Sequence, residues 1–262
     1  MITALYSAAT GMEAQETHIN VIANNLANVN TTGYKKSRAN FQDLLYQHGR
    51  AVGSAATANT QVPTGIQIGL GTRTASVEKV YTVGDLQRTG SDLDFAIEGD
   101  GFFQVELPDG ETAYTRDGSF KKDSEGRLVT SDGNPVLPEI VIPENSTKIA
   151  VGKDGTIMAF LDSESVGTEI GTLELARFGN PSGLLNIGNN MVRETDASGA
   201  PILGEAASEG FGGIAQGFLE SSNVSIMQEM IELISGQRAY EINSKAVRAS
   251  DEILQQTTQL VA

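Results

Sequence analysis

The stretch ANNLANVNTTGYKK, residues 23–36, decides how this chain is read. Asn24, Asn25, Asn28 and Asn30 crowd the end of what is otherwise an amphipathic helical pattern. Asparagine is a mediocre helix former, because its amide competes for backbone groups in turns and caps. An exposed helix face normally carries Lys and Glu instead. Thr31-Thr32-Gly33 then supplies a stop, with Gly33 free to take the left-handed conformation beyond the helix end. A helix that builds its polar face from uncharged amides needs an explanation.

Upstream of that stop, Ile2, Leu5, Ala9, Met12, Glu16, Ile19, Ala23 and Leu26 alternate spacings of three and four, a heptad seam with one charge in it. A matching pattern closes the chain from about Val224 to Ala262. There Ile226, Leu233, Tyr240, Val247, Leu254 and Val261 lie seven apart, and Met230 adds a second seam position. Gln237, Ser244, Asp251 and Thr258 are polar at that second position, and Ile242, Ala246, Ala249, Ile253 and Leu260 form an apolar row beside the seam. Ser221-Ser222-Asn223 offers N-cap candidates. The two helices would reach about 40 and 55 Å. A helix of this kind is marginal alone and needs a partner to fold firmly.

Between them the pattern changes. Asp100-Gly101, Asp109-Gly110, Asp117-Gly118, Asp132-Gly133 and Asp154-Gly155 punctuate short β-rich runs: FFQVEL (102–107), GRLVT (126–130), EIVI (139–142) and GTIMAFL (155–161). Asp-Gly between such runs is a hairpin signal, read here as type I′ turns with positive φ at both central residues. The stretch 47–65, QHGRAVGSAATANTQVPTG, has only Val52 and Val62 as larger aliphatics and is expected to be a loop or extended arm. The fold class that follows is α+β, with long N- and C-terminal helices pairing as a coiled-coil domain around an antiparallel, mostly-β middle domain. The expected domains are helical segments 1–32 and 223–262, a connecting region 33–85 and 206–222 containing the loop 47–65, and a β-rich outer domain 86–205.

The chain has 262 residues, 18 Lys and Arg against 33 Asp and Glu, and a net charge of −15. Nucleic acid and anionic membrane are thereby disfavoured as partners, since both ask for a basic surface. No cysteine is present, so neither a disulfide nor a thiolate metal site is available. The N-terminus MITALYSAATGMEAQE lacks the basic flank and apolar run of a cleavable signal peptide, and no run approaches a membrane span. The two histidines, His18 and His48, have no motif support as catalysts. Asp92 and Asp94 read as solvated turn residues rather than paired glycosidase carboxylates. SDLDFAIEGDGF lacks calcium-loop spacing, and GEAASEGFGG (204–213) lacks the Lys-Ser/Thr of a phosphate loop. No enzyme activity, cofactor or metal is expected. An adhesin-like β protein would account for the middle and the acidity, but not for heptad-bearing helices at both ends.

Residues 1–30 carry only Glu13 and Glu16 as fixed charges, and Asn24, Asn25 and Asn28 lie off the seam. Neutral amides there suit a surface packed on more protein, where each can donate and accept. A multi-chain assembly and a lone two-helix hairpin both remain open on this ground, the assembly being favoured.

ANNLANVNTTGYKK resembles the N-terminal signature of the bacterial flagellar rod and hook axial proteins. LDFAIEGDGFFQV (93–105), YTRDGSF (114–120) and SNVSIMQEMIELISGQRAYEINSKAV (222–247) agree with that family, so the resemblance covers essentially the whole chain. Length and local sequence are most similar to its distal-rod branch, with a proximal-rod subunit as the alternative. The resemblance implies a structural subunit that self-assembles into a hollow helical tube, transmits torque from motor to hook and passes exported subunits. It implies type III export without a cleaved signal and a place in the basal body where the rod crosses the periplasm. Implied partners are further copies of the chain, proximal rod proteins, the hook protein and the bushing rings; nucleic acid is not among them, nor is insertion in a membrane. The segment 47–65 with IQIGLGTR (66–73) resembles a family loop that bridges neighbouring subunits. The assembly interface is then expected at Leu5, Met12, Ile19, Asn24, Asn25, Leu26 and Asn28 of the first helix. In the second it falls at Ile226, Met230, Leu233, Gln237, Arg238, Tyr240, Asn243, Val247 and Leu254, with the asparagine amides facing other subunits and fixing register.

Overall fold

The computed structural model describes residues 2–50, 55–57, 60–61, 64–161 and 167–261. The chain divides into two units: Met1–Leu26, Ser37–Glu78 and Ser225–Ala262 make the first, and Ala27–Lys36 with Lys79–Val224 the second. Two helices at the chain ends and a mostly antiparallel β middle are present, as the helical and strand periodicities predict.

In the first unit, helix α1 spans Ile2–Ala27 and helix α2 spans Ile226–Val261. At 1.5 Å per residue they measure about 39 and 54 Å. The same unit contains paired strands. Ser37–Asp43 bonds to Thr72–Lys79, Tyr46–Arg50 runs antiparallel to Ile66–Gly69, and Ala55–Thr57 antiparallel to Thr60–Gln61. Where it is described, the expected 47–65 loop is thus a β-ribbon folded back on itself. Residues 51–54, 58–59 and 62–63 of that loop, including Val52 and Val62, lie outside the described residues. Small polar residues such as these form strands when a partner segment lies opposite, because backbone pairing asks nothing of the side chain.

The second unit is built on a seven-stranded sheet. Its path runs Leu185–Gly188, Met191–Arg193, Thr112–Thr115, Phe102–Glu106, Glu174–Arg177, Ile202–Glu205, and Val136–Leu137 joins it at Phe102–Glu106. All these pairings are antiparallel. Ser146–Val151, Thr156–Leu161 and Thr168–Thr172 make a three-stranded sheet. Alternation along two central strands sorts their residues between cores. Phe103 and Leu175 enter a cluster with Phe95, Phe120, Ile140, Ile157 and Ile214, while Phe102 and Ala176 enter another with Tyr114, Phe178 and Leu184. These strands are covered on both faces, which is why FFQV is buried at all four positions, the polar Gln104 included. EIVI forms no strand, although Ile140 and Ile142 are buried and Val141 makes a single bridge to Arg127.

The turns differ from the type I′ expectation. Gly110 donates its N–H to the Leu107 carbonyl, so Pro108 and Asp109 are the central residues, and Gly110 follows them at φ 82°. Proline's fixed negative φ excludes type I′ there. Gly133 and Gly155 bond back to Thr130 and Gly152 in the same way, with φ 86° and 85°. These are type I turns closed by a left-handed glycine. The turn with two left-handed central residues is instead Asn189-Asn190, at φ 52° and 58°, between Leu185–Gly188 and Met191–Arg193. Asparagine tolerates that conformation through its short polar side chain.

Candidate assembly interface

Within the first unit, α1 and α2 meet in antiparallel order. Gly11 of α1 lies against Asn243, Ile19 against Gly236, and Asn25 reaches Glu229. A Cβ on Gly236 would stand 3.3 Å from the Ile19 side chain, and one on Gly11 would stand 2.9 Å from the Asn243 amide nitrogen. Small residues therefore set how closely the helices approach.

The buried row of α1 is Ala8, Ala14, Ile22 and Asn25; Ala8, Ile22 and Asn25 each stand one residue before a position of the seam read from the sequence, and Ala14 two before Glu16. Leu5, Met12, Ile19 and Leu26 flank it half-buried, while Ala9, Glu16 and Ala23 are exposed. In α2, Glu229 and Gly236 are buried and Leu233, Asn243, Val247 and Leu254 are half-buried. Ile226, Met230 and Tyr240 are exposed, as are Gln237 and Arg238, so none of these five packs into the helix pair. The heptad reading favoured large aliphatics; close approach selected glycine, alanine and asparagine instead.

Asn25 corrects the expectation that its amide faces other subunits. Its Nδ2 donates to the Ser37 carbonyl at 2.9 Å and to Glu229 Oε2 at 3.1 Å, and its Oδ1 accepts the Ser37 N–H at 2.8 Å. The amide is fully engaged inside the chain. Asn28 is half-buried, and its Oδ1 accepts the Thr31 hydroxyl at 3.2 Å where the helix ends. Asn24 is exposed. Gly33 takes the left-handed conformation at φ 66°, as read from the sequence.

The β-ribbon holds the other side of α1. Ser7 donates to the Gly69 carbonyl, Thr10 Oγ1 accepts the Thr72 N–H, and His18 stacks edge-on to Phe41 with ring centroids 6.0 Å apart. Gly71, at φ 113°, admits no side chain, since a Cβ would fall 2.1 Å from Thr10 Oγ1.

What stays uncovered is as informative. Met227, Met230, Ile231 and Ile234 repeat at helical spacing on α2 and are 73, 49, 65 and 48% exposed. Ile242 and Ile253 continue the exposed apolar surface along α2. Leu45, Ile66 and Ile68 are exposed on the ribbon, Leu45 at 82%. Sequence reasoning missed Glu229, Gly236, Met227, Ile231 and Ile234. A glycine inside a strongly helical pattern was the available signal for Gly236.

The second unit buries a charged cluster. Glu220 Oε1 accepts from Lys35 Nζ and from the Gly84 N–H at 2.8 Å, and its Oε2 lies 3.5 Å from Arg116 Nη1. Lys35 also donates to the Thr82 carbonyl at 2.7 Å, and Arg116 to the Gly99 carbonyl at 2.8 Å. Burial pushes both cations below their ordinary pKa, with the Glu220 charge opposing the shift.

His18 packs on Phe41, and His48 is exposed in its strand. Asp94 accepts from Thr89 in a turn. Among the described residues no group of three His, Asp or Glu side chains is placed to hold a metal, and no helix is long and apolar enough to cross a membrane.

Three family descriptions match the chain. Residues 5–35 match the flagella basal body rod protein family, 96–159 the flagellar hook protein FlgE/F/G D1 domain, and 215–260 the C-terminal region of the flagellar basal body rod FlgEFG proteins. The chain is 48% identical to the flagellar basal-body rod protein FlgG of Buchnera aphidicola subsp. Schizaphis graminum, over 99% of this chain and 100% of that one. It is 50% identical to that of Borreliella burgdorferi, over 97% of each. For Agrobacterium fabrum the identity is 47%, over 95% of this chain and 96% of the relative. With identities of this order across nearly its whole length, the chain belongs to the flagellar basal-body rod protein family.

Proposed function

We propose that the chain is a structural subunit of the flagellar distal rod, polymerising into a hollow helical tube that carries torque from motor to hook and passes exported subunits. The observation that carries this reading is the apolar stripe Met227, Met230, Ile231 and Ile234 on α2, left open beside a helix pair already closed by small residues. An exposed apolar surface of this kind is costly in water and marks an interaction site. In the polymer, α1 and α2 pack as coiled coils with those of neighbouring copies, and Asn24, Ile226, Met230, Gln237, Arg238 and Tyr240 contribute to the contacts. Leu5, Met12, Ile19 and Leu26 flank them on α1, with Asn28 just beyond its end, as do Leu233, Asn243, Val247 and Leu254 on α2. The helical segments 1–32 and 223–262 serve assembly, 86–205 form the β-rich outer domain, and the ribbon within 33–85 bridges to a neighbour.

Full-length identity to basal-body rod proteins named FlgG supports the distal position over the proximal one. The role is mechanical and asks for no catalysis. Partners are further copies, proximal rod proteins below, the hook protein above and the surrounding rings. Export proceeds without a cleaved signal, to the rod where it crosses the periplasm. Electron cryotomography of the source bacterium with this gene deleted tests the assignment. A basal body that keeps its proximal rod and lacks distal rod and hook is expected. Loss of the whole rod, or a complete rod and hook, overturns it.

A further inference from the structure

The second unit contains a cavity of about 240 Å³, below the size of sites for drug-sized ligands. Its walls include Tyr34, Tyr81, Phe102 and Tyr114, and two cations besides the Glu220-paired Lys35, namely Lys79 and Arg116, reach it. In a chain with 18 basic against 33 acidic residues, two cations among four aromatic rings is a local inversion of charge.

Neither cation is fully answered by the protein. Lys79 is half-buried; its ammonium donates to the Lys35 carbonyl at 3.0 Å and lies 4.1 Å from the centre of the Tyr34 ring. Among the described residues no carboxylate pairs with it. Arg116 is 4% exposed, and its Nε–H is buried with no acceptor. The guanidinium also lies over the Phe102 ring, 5.2 Å from its centre. Glu220 is the nearest anion to Arg116, its Oε2 lying 3.5 Å from Nη1 and, like the Arg116 Nε–H, buried without a hydrogen bond, while Oε1 of the same carboxylate is occupied by Lys35 and Gly84. A buried donor without an acceptor costs its desolvation in full, and a half-buried ammonium without a counter-ion is similarly unfavourable. One anion in the cavity would answer both.

We infer that this cavity is a binding site for a small carboxylate with a flat or apolar body. The carboxylate accepts from Arg116 and Lys79, and the body lies among the aromatic rings. The aromatic walls select against inorganic anions, whose hydration they cannot replace. The carboxylate can belong to a free organic acid or to an acidic side chain of another copy of the chain.

Benzoate and its neutral isostere benzamide are the probes, titrated into the full-length chain with saturation-transfer NMR as readout. Saturable binding of benzoate is expected, weakened by salt and absent for benzamide. Lys79→Met keeps the stem over Tyr34, removes the charge and should weaken benzoate about tenfold, the scale of one charge-assisted hydrogen bond. Circular dichroism of that variant checks that it folds, and Tyr81→Phe offers a second, milder alteration of the wall. Equal binding of benzamide, undiminished binding by the Lys79 variant, or no saturation would overturn the site. Displacement of benzoate by inorganic phosphate at equal concentration would overturn the carboxylate assignment. Polymerisation in the presence of benzoate separates the sources: inhibition points to a neighbour's acidic side chain, and unaltered polymerisation to a free acid, either result supporting the site.

Discussion

The Asn25 amide and the Glu229 carboxylate meet at 3.1 Å, joining α1 to α2 across 204 residues of sequence. With Ser37 taking the remaining donor and acceptor of Asn25, one side chain ties both helices and the start of the ribbon. Asn25→Leu should therefore loosen the first unit itself, leaving Glu229 and the Ser37 backbone unsatisfied at about 1–3 kcal/mol. Hydrogen exchange of the unassembled chain reads this directly. Faster exchange along α1, with the β strands of the second unit unchanged, is the expected pattern; unchanged protection of α1 would refute it.

Glu220 stands at the centre of a buried charge cluster, with Lys35 and Arg116 both about 3% exposed at their side chains. Removing the carboxylate leaves two buried cations without their shared counter-ion. Glu220→Ala should cost about 3–5 kcal/mol, far more than an exposed ion pair would. Urea unfolding followed by tyrosine fluorescence would register this as a lower midpoint. A shift typical of surface pairs would mean that the cluster is better hydrated than its burial indicates.

Gly236 offers a graded test of close approach. A glycine inside a helix is about 1 kcal/mol worse than alanine, so alanine gains in propensity what it loses by crowding Ile19 at 3.3 Å. Gly236→Ala should be near neutral, whereas Gly236→Val should separate the helices. Thermal melts of helical circular dichroism distinguish the two, and equal tolerance of both would show that the contact is not limiting.

Charge placed on the uncovered stripe should act on assembly alone. Met227→Lys and Ile231→Lys, 73 and 65% exposed in the single chain, remove no intrachain packing of consequence. The double variant should remain monomeric by sedimentation, with an unchanged circular dichroism spectrum, under conditions where the parent polymerises. Polymers formed at the parent's concentration would exclude this face from the interface.

Tyr81 supplies a pH signature. Burial pushes its phenol up to about 12, with the Arg116 charge opposing. Because the folded value lies above the unfolded value of about 10, the unfolded chain loses this proton first. The stabilisation from keeping Tyr81 neutral is therefore complete below about pH 10 and is lost as pH rises towards 12. Tyr46 and Tyr114 are also shifted upward, and ultraviolet titration should show a phase at about pH 12 that Tyr81→Phe removes.

The terminal helices were legible because their apolar repeat is long, and Gly33 announced the helix end. The face they present to each other was not. The heptad reading chose Ile226, Met230 and Tyr240, all exposed, over Glu229 and Gly236, because periodicity ranks hydrophobicity and is blind to how closely two backbones approach. The four asparagines stand out in the sequence, yet Asn25 answers to Ser37 and Glu229, a relation between distant residues that no local pattern encodes. Asp-Gly marked the turns but misassigned their type, since Pro108 precedes Asp109 and fixes the geometry before the glycine is reached. The ribbon was read as an arm from its composition; its pairing depends on register, which small polar residues specify weakly.

The two helices also differ in length, 26 residues against 36. With Gly11 beside Asn243, the start of α1 at Ile2 falls level with about Glu252, so the last nine residues of α2 run on past the end of their companion. That overhang, about 14 Å long, gives the pair one blunt end and one protruding end. In the polymer proposed above, units shaped this way would stack as bricks laid in overlapping courses, the joint between two copies spanned by the body of a third. A shaft assembled so has no continuous plane along which it can shear, and a twisting load is carried by whole helices in place of the seams between them.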